Sequence, residues 1–181
     1  YGLGIYLDLQ TKLKKTKEEE YIIHNLSRAG KRLKGFCRTN LFKRLESSGF
    51  SFLLSLSRHI LRNYIYIYAV ENNFPIPIGP QEAGLLDEIL DDEDTDVMGE
   101  QNTIDFIVEE NKYSQLAKSI YDIFNTKQKS RYDWIRSELF KNELKTVLLN
   151  DSKEVIKILK MAANWNPAKD RQLNALHQLC T

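Results

Sequence analysis

Arg28, Lys31, Arg32, Lys34, Arg38, Lys43, Arg44, Arg58 and Arg62 stand against one acid, Glu46, between positions 28 and 62. Lysine and arginine repeated along helices beside aromatics such as Tyr64 and Tyr66 are the residue types that track a phosphate backbone. The same cations also read as solvated helix faces, or as partners for an acidic segment of the same chain. Such a segment is present. From Asn63 to Asn111 there is no Lys or Arg, while Glu71, Glu82, Asp87, Glu88, Asp91, Asp92, Glu93, Asp94, Asp96, Glu100, Asp105, Glu109 and Glu110 accumulate. The formal net charge of +1 therefore conceals a strong separation of sign along the chain.

The remaining reactive residue types are not at working spacings. Leu85-Leu86-Asp87-Glu88 has the apolar-then-acidic order that holds magnesium in nucleotide hydrolases, but such an acid works beside a glycine loop that cradles phosphate. The nearest candidate, Ala29-Gly30-Lys31-Arg32, lacks both the leading glycine and the Ser or Thr that would touch the metal, so an acidic linker is the simpler reading. Gly2-Leu3-Gly4 has no third glycine and no preceding strand, which leaves a dinucleotide fingerprint unsupported. His24, His59 and His177 lie far apart without Cys, Asp or Glu at metal-ligand spacing, and no metal site is expected. Cys37 sits between Lys34 and Arg38, which could lower its thiol pKa, but no base accompanies it and a structural thiol is the commoner case.

The elements that carry these residues read as helices. Tyr1 to Gln10 is expected to be a frayed end, and its start without methionine suggests a piece of a longer polypeptide. Thr16 with Glu19 three positions on makes a capping box, and Ile22, Ile23, Leu26, Ala29 and Leu33 recur at helical spacing, which predicts a helix from about Lys17 to Lys34. Leu41, Phe42 and Leu45 continue the stripe as a second helix or a kinked continuation. Ser47 and Ser48 can cap a long helix bearing Phe50, Leu53, Leu54, Leu61, Tyr64, Ile65 and Tyr68. Within it Tyr64-Ile65-Tyr66-Ile67-Tyr68 alternates like a strand, yet no turn signal separates it from Leu61 and the helix is retained.

Prolines 75, 77 and 80 make Phe74–Pro80 an extended connector. The seven acids between Asp87 and Asp96 should keep the next stretch a solvated loop. Beyond it, Thr103 is expected to cap a helix carrying Ile104, Ile107, Leu116, Ile120 and Phe124, and Ser130 to begin one with Trp134, Ile135, Leu139, Leu144 and Leu148. Asp151 with Glu154 signals a further start, for a helix ending near Asn164; Asn166-Pro167 then breaks the chain before a last amphipathic helix with Leu173, Leu176 and Leu179.

The expected fold is thus all-α, an irregular bundle of about six or seven helices with an extended, Pro-rich and acidic loop in the middle. Its parts are a basic helical region over 1–72, the linker over 73–102, a helical region over 103–164, and the truncated start of a following lobe over 165–181. At 181 residues and 42% hydrophobic content the chain can bury one sizeable core. Its two cysteines, far apart, are the usage of a reduced compartment, and no apolar run reaches the roughly 18 to 20 residues of a membrane span, so a cytoplasmic protein without a membrane partner is expected.

Two strings carry a family resemblance. Arg28-Ala29-Gly30-Lys31-Arg32-Leu33, followed by Thr39-Asn40-Leu41-Phe42-Lys43-Arg44-Leu45-Glu46-Ser47-Ser48, resembles the helical region between the motor lobes of bacterial Swi/Snf-type helicases, particularly those of restriction and phage-defence systems. Trp165-Asn166-Pro167-Ala168-Lys169-Asp170-Arg171-Gln172-Leu173-Asn174-Ala175-Leu176 looks like the helix that opens the second RecA-like lobe of such motors. The two cover about a fifth of the chain. The resemblance implies a parent that is an ATP-driven translocase on duplex DNA. Its flanking RecA-like lobes would hold ATP and magnesium, with no cofactor and no catalytic residue in this chain. Lys31, Arg32, Lys34, Arg38, Lys43 and Arg44 would then contact the DNA backbone. The competing expectation is a non-enzymatic helical domain that docks a partner protein.

Overall fold

A computed structural model of the chain describes residues 2–79 and 109–162. Thr16 opens the first helix as its spacing predicts. Its Oγ1 accepts from the Glu19 amide at 3.1 Å, and the Glu19 carboxylate accepts from the Thr16 amide at 2.9 Å, which completes a reciprocal capping box. Helix α1, Lys17–Ser47, continues without a break through Gly30 and Gly35 for 31 residues, a rod of about 46 Å. The expected end near Lys34 does not occur. A glycine inside a helix costs only about 1 kcal/mol relative to alanine, and nothing at Gly35 redirects the chain. What ends α1 is Ser48, whose extended backbone lets its amide donate to the Arg44 carbonyl at 2.8 Å. The Ser48 hydroxyl meanwhile accepts from Ser51 at 3.3 Å to start α2, Gly49–Glu71.

Helix α2 is the centre of the fold, packed by α1, by α3 (Glu110–Thr126) and by α4 (Glu143–Met161). A helix surrounded on several sides buries most of its circumference. That is why consecutive residues Asn63 through Ile67 are all buried, and why the alternation of Tyr64–Tyr68 carries no strand. One hydrophobic cluster joins Ile60, Ile65 and Ala69 of α2 with Ala117 and Ile120 of α3 and Leu144, Leu148 and Leu159 of α4.

Asn72 and Asn73 stop α2. Asn73 takes a left-handed backbone (φ 54°), its amide donates to the Val70 carbonyl at 3.3 Å, and the Phe74 amide donates to Ala69 at 2.8 Å. This is a Schellman closure with asparagine in the position glycine usually fills, and the Phe74 ring rests edge-on against Tyr68 with centroids 6.0 Å apart. The Pro-rich connector that follows is extended, as expected, but part of it pairs. Strand β1, Ile76–Ile78, runs antiparallel to β2, Asp133–Ile135, with Ile76 opposite Ile135 and Pro77 opposite Trp134. A two-stranded ribbon leaves one edge of each strand without a ladder partner, so proline is tolerated there.

Three expectations are corrected in the second half. The helix carrying Leu116, Ile120 and Phe124 begins at Glu110, after the extended backbone of Glu109, while Thr103, Ile104 and Ile107 lie outside the described residues. No helix starts at Ser130. Short 3₁₀ turns at Lys129–Arg131 and Ser137–Leu139 flank β2, since Trp134 and Ile135 are consumed by the ribbon rather than by a helical stripe. Asp151 starts nothing either: it lies inside α4, which runs through it to Met161. The predicted loop at Asp87–Asp96 and the predicted helix at Leu173–Leu179 lie outside the described residues.

The amino-terminal segment is not frayed. Leu3 and Leu7 are buried, a 3₁₀ turn over Leu3–Tyr6 packs on α1, and Leu7 bridges Phe140. The amides of Asp8 and Lys141 donate to the carbonyls of Leu139 and Tyr6, each at 2.8 Å. Buried leucines and paired backbone hold a chain end that composition alone leaves loose. A Cβ at Gly4 would come within 3.0 Å of the Leu26 carbonyl oxygen, so glycine lets this segment lie flat on α1. The fold is all-α in character. The described residues form four α-helices, fewer than expected, and one minimal sheet.

Candidate nucleic-acid interface

All six cations singled out by charge lie on α1, which its capping box and Ser48 bound at either end. Lys31, Arg32 and Lys34 belong to its helical backbone, and their side chains lie outside what is described. Arg38, Lys43 and Arg44 are exposed, yet they do not form one patch. Side chains advance by about 100° per residue, so Arg38, Phe42 and Leu45 line up as one row along the last turns while Lys43 points about 100° away from Phe42. Arg44 falls on the side towards α2, where its Nη1 donates to the Ser55 hydroxyl. That hydroxyl in turn donates to the Ser51 carbonyl at 2.6 Å. Arg44 thus staples α1 to α2 across their junction.

The outer row combines charge with exposed apolar surface. The Arg38 guanidinium lies 5.8 Å from the centroid of the Phe42 ring, a cation–π contact, and Phe42 remains 53% exposed with Leu45 at 48%. Among the described residues neither Arg38 nor Lys43 forms an ion pair. Arg28, His24 and Tyr21 are exposed further up the same helix. Arg58 and Arg62, on α2, are half-buried, and Arg62 faces Tyr66, whose hydroxyl burial holds above the ordinary phenol pKa.

The glycine-lysine string at positions 29–32 sits inside α1. Its amides are committed to the helix and cannot wrap a phosphate, so these residues do not fit ATP. Among the described residues no group of three or more His, Cys, Asp and Glu is arranged to hold a metal ion. No helix among them is long and apolar enough to cross a membrane.

Folding assembles a second polar cluster that spacing does not reveal. His59 and Asn63, one turn apart on α2, meet Asp151 and Ser152 on α4. The Asp151 Oδ2 lies 2.7 Å from His59 Nε2 and accepts from Asn63 Nδ2 at 2.8 Å, and Asn63 also donates to the Ser152 hydroxyl at 3.2 Å. Asn63 and Ser152 are buried, whereas the His59 and Asp151 side chains are about one-third exposed. The cluster satisfies a buried amide and sets the register of α2 against α4. Sequence reasoning misses it because the partners lie 92 and 88 positions apart.

Comparison with protein-family models, with curated proteins and with solved structures finds no match to this chain.

Proposed function

We propose that this chain is a helical insertion or linker of an ATP-dependent DNA helicase or translocase, supporting backbone contact with duplex DNA and coupling between motor lobes, with no catalytic site of its own. The observation that carries the reading is the outer side of α1, where Arg28, Arg38 and Lys43 are exposed on one unbroken 31-residue helix. A helix anchored at its start by Glu19 and Arg136, and at its end by Arg44 and Ser55, would couple movements at its two ends. The resemblance of positions 28–33 and 39–48 to the inter-lobe helices of Swi/Snf-type motors falls on the same helix. ATP and magnesium would then belong to the flanking RecA-like lobes, and a cytoplasmic location fits the sparse cysteines.

Titration of a labelled blunt duplex at several salt concentrations tests the reading. Each phosphate neutralised contributes about −0.9 to the slope of log K against log salt, so contact through these cations gives sequence-independent binding that weakens steeply with salt. Undetectable or salt-insensitive binding ends the proposal.

One observation favours the alternative, a helical domain that docks a partner protein. Ile158 and Met161 at the end of α4 are 44% and 85% exposed, a pair of apolar side chains with no charge of their own. Partner binding that survives removal of the α1 cations and fails on substitution of Ile158 and Met161, with no affinity for DNA, would establish that reading instead.

A further inference from the structure

The row Arg38, Phe42, Leu45 differs in kind from an ordinary phosphate-tracking face. A duplex presents a helix with phosphates and sugars on its outside, and against those a phenyl ring gains little, because its apolar surface needs another π-face or an apolar group. An unpaired base offers both: a flat ring that stacks and a phosphate one bond path away that meets a cation. We infer that the outer face of the last turns of α1 takes an unpaired nucleotide, with Phe42 as the stacking platform and Arg38 as the phosphate contact. The inference rests on the nucleic-acid reading above and narrows it, making a single strand, or the frayed end of a duplex, the preferred form.

Three features support this occupant. The Arg38 guanidinium is already held over the Phe42 ring, so cation and aromatic are presented together with little further ordering. Phe42 and Leu45 remain exposed although α1 has a buried side available, where Ile22 is covered by the core and Leu41 packs against it. The segment favours a polyanion, because positions 28–62 carry nine cations against one acid, although that acid, Glu46, stands one turn beyond Phe42 on the same side of α1. An anionic peptide satisfies the charge but brings no ring to Phe42, and a blunt duplex keeps its rings inside.

The test measures binding of the full chain to two labelled probes, an oligo-dT strand and a blunt mixed-sequence duplex, for the native protein, Phe42→Ala and Phe42→Trp. Helical circular dichroism confirms the fold of each, and the exposure of Phe42 makes both variants compatible with it. The expected result is tighter binding of the strand than of the duplex. Phe42→Ala should lose about tenfold for the strand with little change for the duplex, and Phe42→Trp should retain strand binding. Equal or tighter binding of the duplex, or a Phe42→Ala loss that is the same for both probes or absent from both, overturns the inference while leaving the broader reading intact. Binding of neither probe, or preference for an acidic peptide or anionic vesicles over both, overturns the two together.

Discussion

Arg136 grips both oxygens of one carboxylate: its Nε lies 2.6 Å from Glu19 Oε1 and its Nη2 lies 2.8 Å from Oε2, across 117 positions of sequence. The same Nη2 donates to the Lys14 carbonyl at 2.8 Å, so one guanidinium ties the start of α1 to the segment leaving β2. Glu19 is buried and also accepts from Thr16, which makes a single carboxylate the third residue of a capping box and half of a forked ion pair.

Acid should expose this dependence. The Arg136 hydrogen bonds, aided by the Thr16 amide, pull the Glu19 carboxyl from 4.5 down to about 2 against the opposing effect of burial. A carboxyl depressed in the folded state stabilises fully above its unfolded pKa, and that contribution disappears as pH falls from about 4.5 towards about 2. Its size is on the order of 3 kcal/mol. Glu19→Gln should lower stability at neutral pH by about 1–3 kcal/mol and flatten the acid limb of a urea-midpoint profile between pH 5 and 2. An unchanged acid limb would show that other carboxyls govern it.

The shared oxygen of Asp151 gives a second prediction. Asp151→Ala removes the principal acceptor of the buried Asn63 amide and should cost about 1–3 kcal/mol in urea unfolding. Because Asn63→Ala removes the other half of the same bond, the double variant should lose less than the sum of the singles. Strict additivity would mean that the two residues act separately.

Between α2 and α3 the Tyr64 and Tyr113 rings stack with centroids 5.8 Å apart, and burial pushes both hydroxyls up to about 12. Among the described residues neither hydroxyl, nor that of Ser57, meets full hydrogen-bond geometry, although Ser57 lies close to Tyr113 and the Glu110 carboxylate close to Tyr64. A buried hydroxyl without a partner contributes a desolvation penalty and no bond, so Tyr113→Phe should leave stability unchanged or raise it by up to about 1 kcal/mol. A thermal melt showing a clear loss would mean that the Tyr113 hydroxyl is hydrogen-bonded, with Ser57 the nearest candidate.

Charge removal on the outer side of α1 separates phosphate contact from stacking. Arg38→Gln with Lys43→Gln should reduce the magnitude of the salt slope for duplex binding by about 2, with native helicity retained because both side chains are exposed. Arg44→Gln should instead weaken the junction of α1 and α2, since that guanidinium is engaged with Ser55. A salt slope unaffected by the double substitution would move the phosphate contacts elsewhere.

The capping box at Thr16, the restart at Ser48, the end of α2 before the prolines and the helical character of most segments were legible in the residue string. Each of those signals acts within one turn, where a side chain reaches the backbone it caps whatever else the chain does. The strand pairing of Ile76 with Ile135, the Arg136 grip on Glu19, the meeting of His59 with Asp151 and the ordering of Leu3 and Leu7 were not. Their partners are remote in sequence, and their energies appear only once α2 is enclosed and the neighbouring surfaces have taken shape. The outer row of α1 shows both levels at once: its charge is written in the composition of positions 28–62, but helical phase and contact with α2 separate Arg38 and Lys43, which face outward, from Arg44, which is held in the fold.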